Sequence, residues 1–509
     1  MITKSDIKSL NKLVALAFSL LVLATSCKKE PKPAPVTPPA VATRAELTRD
    51  SIFLYSKDTY YWNDGLPAYD IFKPRNYASD QAVLDAIIKL PGTGKPVDKY
   101  SFLDDGSVAS QLGGVSGDYG FSVFYNGSPS SDIRIKYVSL NSPAAAKNLK
   151  RGYRITKLNG RTDLLSSVDA NIAFVGDAIF GSAPSVSMTV QKPDGTSEDV
   201  IIARTIYDNN PIQHTQIYTV GSKKVGYIVY NSFTTNSRDA LKAKFVEFTN
   251  AGVTELIVDL RYNGGGSVGT ADVFTNLIVP TSFSGSTMYT TYWTKTMQDG
   301  LAKILANQPL LDALGKLQPF TTGVNKVYAT YADIDYRPTV AAGNVEVFAK
   351  IGSASFSKVY FLVLSGTASA SELLINNLKP VMPEVKLIGR QTYGKPVGFF
   401  AINIDKQDLY IPQFETKNSA NVGGYYSGMI PDYSISDDVT KNFGDPTEAL
   451  LAAALSYSQK GTFSVSKPQE NTISSVKTMS VFEAERLTNK LDRNKFKGMI
   501  DDKLKLKKK

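Results

Sequence analysis

One histidine and one cysteine in 509 residues restrict this chain more than any other feature. A single thiol forms no intrachain disulfide, and Cys/His zinc sites need two to four such ligands, so neither staple is at hand. The fold must close around apolar cores, for which 42% hydrophobic residues suffice, and the length allows about three domains of roughly 150 residues. The net charge of +10 sits mostly at the ends: Met1 to Ser26 carries three Lys against one Asp, and Arg486 to Lys509 ten basic residues against three acidic. The body between is left near neutrality, which excludes nucleic acid as a partner recognised by charge.

The lone Cys27 follows a basic stretch (Lys4, Lys8, Lys12), an apolar run from Leu13 to Leu23 and the small residues Ala24-Thr25-Ser26. The run is too short to span a bilayer, and the arrangement resembles a bacterial lipoprotein signal, residues 1–26. The resemblance implies removal of the leader, lipidation of Cys27 and anchoring outside the cytoplasm to a bacterial membrane, the outer one foremost. An ordinary secretory signal with an incidental cysteine is the alternative. Residues 27–42 hold five prolines and no apolar periodicity, as an extended tether does.

Three folded regions are expected of a multidomain α+β chain. Residues 43–105 read as helical: Thr43 with Glu46 fits a capping box, and Ser79 precedes Ala82, Val83, Ala86, Ile87 and Leu90 at helix spacing. The cluster Tyr60-Tyr61-Trp62 reads as packing. Residues 113–205 read as short strands with one alanine-rich helix, Ser142 to Leu149, and a hairpin at Asn159-Gly160. Residues 215–460 alternate strands (225–230, 255–260, 359–364, 385–388) with helices, one capped by Asn236 and presenting Leu241, Phe245 and Phe248 on one face. Such βαβ units imply a mainly parallel sheet. The basic stretch 461–509 is a solvated tail or a helix lying on anionic lipid.

Two segments of the third region carry chemistry. In DLRYNGGGSVG (Asp259 to Gly269), glycines at a strand's end let backbone approach a ligand and aim amides at an anion. A tight turn is the plainer reading, and a phosphate loop lacks its Gly-Lys-Ser/Thr. In VYFLVLSGTASASELLINNLKP, a strand meets small residues and then a helix near Ala370; a serine at such a turn is exposed beside the helix's first amides. It needs a base. His214 lies at the junction before this region, whereas Lys395, in GRQTYGKPVG, follows the next strand and returns to the same sheet end. A lysine held neutral by burial can replace histidine.

The helix, turn, strand and hairpin order in SPAAAKNLKRGYRITKLNG resembles a PDZ domain, which implies capture of a peptide by strand addition, with Gly120, Phe121, Ser122 and Val123 as the carboxylate loop. Ser122 stands where a second glycine is usual, and a ligand-free β spacer is the alternative. Together with DKYSFLDD, KVGYIVYNSF, DLRYNGGG, TASASE, QTYGK, GMIPDYSI and GDPTEALLAAAL, the chain resembles the C-terminal processing (tail-specific) proteases: a helical N-terminal domain, an inserted PDZ domain and an α/β peptidase core with a Ser/Lys dyad. The resemblance implies Ser369 as nucleophile, Lys395 as general base, the amides of Gly265 and Ala370 as oxyanion hole, neither metal nor organic cofactor, and unfolded or C-terminal peptide segments as partners. The family often places a glutamine four residues after the lysine, where this chain has Phe399. A catalytically inactive, lipid-anchored binder of peptides or apolar ligands on the same fold is the rival.

Overall fold

The computed structural model describes residues 42–90, 98–126, 131–311, 316–319, 328–463, 487, 491 and 498–502. The leader, Cys27, the tether up to residue 41 and most of the basic tail lie outside them. At Thr43 the expected capping box forms: Glu46 accepts the Thr43 N–H (2.7 Å), Thr43 Oγ1 accepts that of Glu46 (3.3 Å), and α1 runs Arg44–Thr59. Residues up to Leu47 belong to one unit and Thr48–Lys509 to another. Ser79 Oγ accepts the Ala82 N–H (3.1 Å) and starts α2, Asp80–Ile87. Ile52, Phe53, Val83, Leu84 and Ile87 are buried, as are Tyr60 and Trp62, which meet edge to face.

A five-stranded antiparallel sheet follows in chain order, β1 (Phe121–Tyr125), β2 (Ile133–Val138), β3 (Arg154–Leu158), β4 (Ser185–Gln191) and β5 (Ser197–Ala203). Val186, Met188, Val190, Val200 and Ile202 alternate into its core, the period of two that a half-buried strand requires. The alanine-rich helix is one short turn, Pro143–Ala146, capped by Ser142. A second helix, α3 (Asp169–Phe180), is absent from the sequence expectations. No side chain caps it at Val168, so no start signal marks it, although Ile172, Val175, Ala178 and Ile179 fall on one buried face.

The large sheet has β7 (Lys223–Tyr230), β8 (Glu255–Asp259), β10 (Lys358–Val363), β11 (Val385–Gly389) and β12 (Tyr433–Ser434) parallel, with β6 (Ile212–Val220) antiparallel along one edge. β9 (Gly265–Ser267) stands outside this sheet and pairs with β13 (Gly498–Ile500). The large sheet thus opens at Ile212, ahead of the expected residue 215. Between their ends the central strands are apolar, because helices cover both faces. On one, Ile228, Leu256, Val258 and Phe361 pack with Leu241, Phe274 and Leu373 of α4 (Arg238–Asn250), α5 (Val268–Ile278) and α6 (Ala370–Leu378). On the other, Tyr227, Val229, Ile257, Tyr360 and Leu362 meet Leu450, Leu451 and Ala454 of α7 (Ala449–Lys460). Asn236 does not cap α4: a 3-10 turn, Thr235–Ser237, intervenes, and Asn236 Oδ1 accepts the Thr234 hydroxyl (2.7 Å). Among the described residues no helix is long and apolar enough to cross a membrane.

A buried charge cluster joins the two sheets. Arg261 bonds Asp259 (2.7 Å), Glu448 (2.8 Å) and Asp437 (2.6 Å), and Arg151, from between β2 and β3, reaches the same Asp437 (2.6 Å) and the Tyr262 hydroxyl (2.6 Å). Burial alone would raise the Asp437 carboxyl; Arg151 and Arg261 outweigh it and hold it at about 2. Such charges survive desolvation only because each is paired and hydrogen-bonded.

Candidate active site

Ser369 occupies the last position before α6 with φ +62° and no exposed surface. A non-glycine residue in this region costs on the order of 1–3 kcal/mol, and the enclosed Ser369 Oγ has no hydrogen-bond partner among the described residues. The turn therefore holds a strained, unsatisfied hydroxyl at the amino end of a helix. Lys395 is equally buried; its Nζ lies 3.8 Å from the centroid of the Phe399 ring and 5.7 Å from that of Tyr100. Phe399 thus packs its ring against the lysine. The Tyr100 hydroxyl braces the lysine loop by donating to Gly394 O (2.6 Å). Gly394 has φ +81°, and a methyl group there would stand 2.3 Å from Tyr426 O, so glycine is required.

Glu372 ties the two segments together. Its Oε2 accepts the main-chain N–H of both Ser369 (2.9 Å) and Lys395 (2.8 Å), while Oε1 accepts the Gly394 N–H (2.8 Å) and the Thr392 hydroxyl (2.5 Å). Burial pushes this carboxyl upward, and the hydrogen bonds from Thr392, Lys395, Ser369 and Gly394 oppose it. Sequence reasoning used Glu372 only as part of a motif; the Ser-x-x-Glu spacing of a capping box was the available signal.

The glycine loop closes over the same point. A methyl group on Gly265 (φ +106°) would lie 2.3 Å from Gly498 O, 2.9 Å from Ser369 Cβ and 3.0 Å from Ala370 N. Gly265 and Ala370 are thus brought to Ser369. The Gly265 N–H, however, donates to Asn263 Oδ1 (2.8 Å), whose Nδ2 donates to Tyr230 O (2.8 Å). The expected oxyanion donor is committed to this side chain, a partner that sequence reasoning missed.

The loop from Gly120 to Val123 differs from expectation in the same way. The Gly120 N–H donates to Asp118 Oδ1 (2.7 Å), which also accepts the Tyr207 hydroxyl (2.8 Å); an internal carboxylate therefore takes the amide expected to hold a ligand's. Phe121, Ser122 and Val123 lie in β1 and are buried, with a bulge between Ser122 and Val123. Tyr119, Phe121 and Ser122 line a 260 Å³ cavity that also reaches Gly264 and Gly265. His214 is not brought to the site. It sits on the edge strand β6, three strands from β10, with Nε2 3.1 Å from Gln216 Oε1.

Residues 224–435 match the family model of peptidase family S41. Over 359 residues the chain is 23% identical to a C-terminal processing peptidase, chloroplastic, of Tetradesmus obliquus; the match takes in 66% of this chain and 65% of that relative, just under two thirds of its length. A crystal structure from Bacteroides fragilis NCTC 9343, assigned to the S41 proteases, superposes with a TM-score of 0.54 at 22% identity, covering 85% of this chain and all of the other, and so shares the fold.

Proposed function

Residues 224–435 belong to peptidase family S41, a family of serine-type peptidases, and from that premise we propose that this protein is a serine endopeptidase cleaving unfolded or C-terminally exposed protein segments. The observation that carries the reading is the pair of main-chain N–H groups, from Ser369 and Lys395, on one oxygen of buried Glu372. It brings the main chains of Ser369 and Lys395, from two separate turns, to one carboxylate oxygen.

In the mechanism, neutral Lys395 Nζ takes the Ser369 Oγ proton as that oxygen bonds to a peptide carbonyl carbon. The Ala370 N–H at the start of α6 donates to the oxyanion, and the Gly265 N–H joins it on leaving Asn263. The lysine returns the proton to the departing amine, and water then cleaves the acyl-enzyme in the reverse order. The antiparallel domain acts as a PDZ-like module that delivers the substrate, and lipidated Cys27 tethers the enzyme to the outside of a bacterial membrane. Hydrolysis of an unstructured protein, followed by mass spectrometry with Ser369→Ala as control, tests the reading. Parent and control are expected to differ by several orders of magnitude; equal rates remove Ser369 from the chemistry.

A further inference from the structure

The chain's own residues 498–502 lie beside the Ser369 turn, between the glycine loop and Phe399. β13 lies parallel to β9 in the register Gly265 to Gly498, Gly266 to Met499 and Ser267 to Ile500. The Gly498 N–H donates to Gly264 O (3.1 Å); on the opposite edge the Phe399 N–H donates to Met499 O (2.9 Å), and the Asp501 N–H to Phe399 O (3.0 Å). A three-residue strand is thus held on both sides, between the glycine loop and the segment that carries the base. Its side chains are received as well. Met499 has no exposed surface, and Ile500 packs with Val108, Phe399 and Tyr410. The Asp502 carboxylate accepts from Ser267 Oγ (2.7 Å), the Gly269 N–H (3.0 Å) and Arg238 (2.5 Å). The Gly498 carbonyl oxygen, Ser369 Cβ and Ala370 N all crowd the side of Gly265 where a Cβ would stand. Upstream, Leu491 packs on Gly176 of α3 and lines the cavity that joins β1 to Gly265.

We propose that residues 498–502 occupy the substrate's strand position, so that the chain inhibits itself. The subsites they fill then select peptides with a small residue, two apolar residues and an acid two places further on. The inference rests on the peptidase reading. A tethered occupant competes at an effective concentration near millimolar, so freeing the cleft should lower KM for an added substrate at least tenfold and leave kcat nearly unchanged.

The test uses the full chain carrying Met499→Asp with Ile500→Asp, which places charges in apolar subsites, and separately Asp502→Ala, which removes three hydrogen bonds at a partly exposed position and leaves the core intact. Besides KM, binding of a fluorescein-labelled peptide of sequence GMIDD is measured by anisotropy in Ser369→Ala backgrounds, where no cleavage intervenes. Tighter peptide binding in both variants than in their parent supports the inference. The same binding gain with no hydrolysis by any Ser369-containing form supports it while sinking the peptidase reading. Unchanged peptide binding and unchanged KM in a folded Asp502→Ala variant overturn it.

Discussion

The turn at Ser369 and the loop at Gly120 are both small-residue turns beside a short helix, and they have been finished in opposite ways. At Gly120 every local demand is met: the positive φ falls on glycine, and its N–H has Asp118. At Ser369 a non-glycine residue takes the positive φ, and a buried hydroxyl is left without a partner. Surrounding structure holds the strain in place at the second turn, whereas the first carries none.

Substitution should separate the two. Ser369→Gly suits the backbone and removes the hydroxyl, so hydrolysis should fall by about five orders of magnitude while the melting temperature stays at or above the parent's. A clear drop in melting temperature would mean that the turn is not strained. The junction between the regions is the next point of attack. Asp437 is held at about 2 by Arg151 and Arg261 after desolvation has been overcome. A carboxyl depressed on folding stabilises above its unfolded pKa, and this stability is lost as pH falls from about 4 through about 2; the loss amounts to about 2 kcal/mol. Denaturant unfolding across that interval measures it, and an Asp437→Asn variant should lack this part of the acid dependence.

Gly120→Ala places a methyl group 2.0 Å from Ser142 Cβ at φ +83°. It should cost about 1–3 kcal/mol and leave hydrolysis by the folded fraction within about twofold for short peptides. A large loss on short peptides would bring the loop into the chemistry. Smallest of all, His214→Gln should change the rate less than about twofold, because a base must stand within about 3.2 Å of its proton and His214 lies three strands away. A loss matching Ser369→Ala would restore a histidine mechanism.

What could be read in advance follows the range of the forces involved. The capping pairs at Thr43 and Ser79, the apolar strands beside α4 and the serine before α6 are set by residues within a few positions, so spacing reveals them. Lys395 was legible because a strand places it at the same sheet end. Asn263 on the Gly265 amide and Asp118 on that of Gly120 are also local, but an Asx contact leaves no pattern distinct from an ordinary turn. The Phe399 ring under Lys395 became visible only as a missing glutamine. β13 joins residues separated by more than two hundred positions, and a strand of three residues has too little periodicity to announce itself.

The bond from Tyr100 to Gly394 spans 294 residues, and that distance is also a delay. At about 5–20 residues per second, a ribosome takes roughly 15 to 60 s to make the acceptor after the donor. Through that interval Ile52, Phe53, Val83 and Leu84 wait without Ile402, Ile404, Leu409 and Ile411, which share their apolar core. Synthesis of this chain thus includes a long stage in which its early apolar residues depend on being kept from other chains.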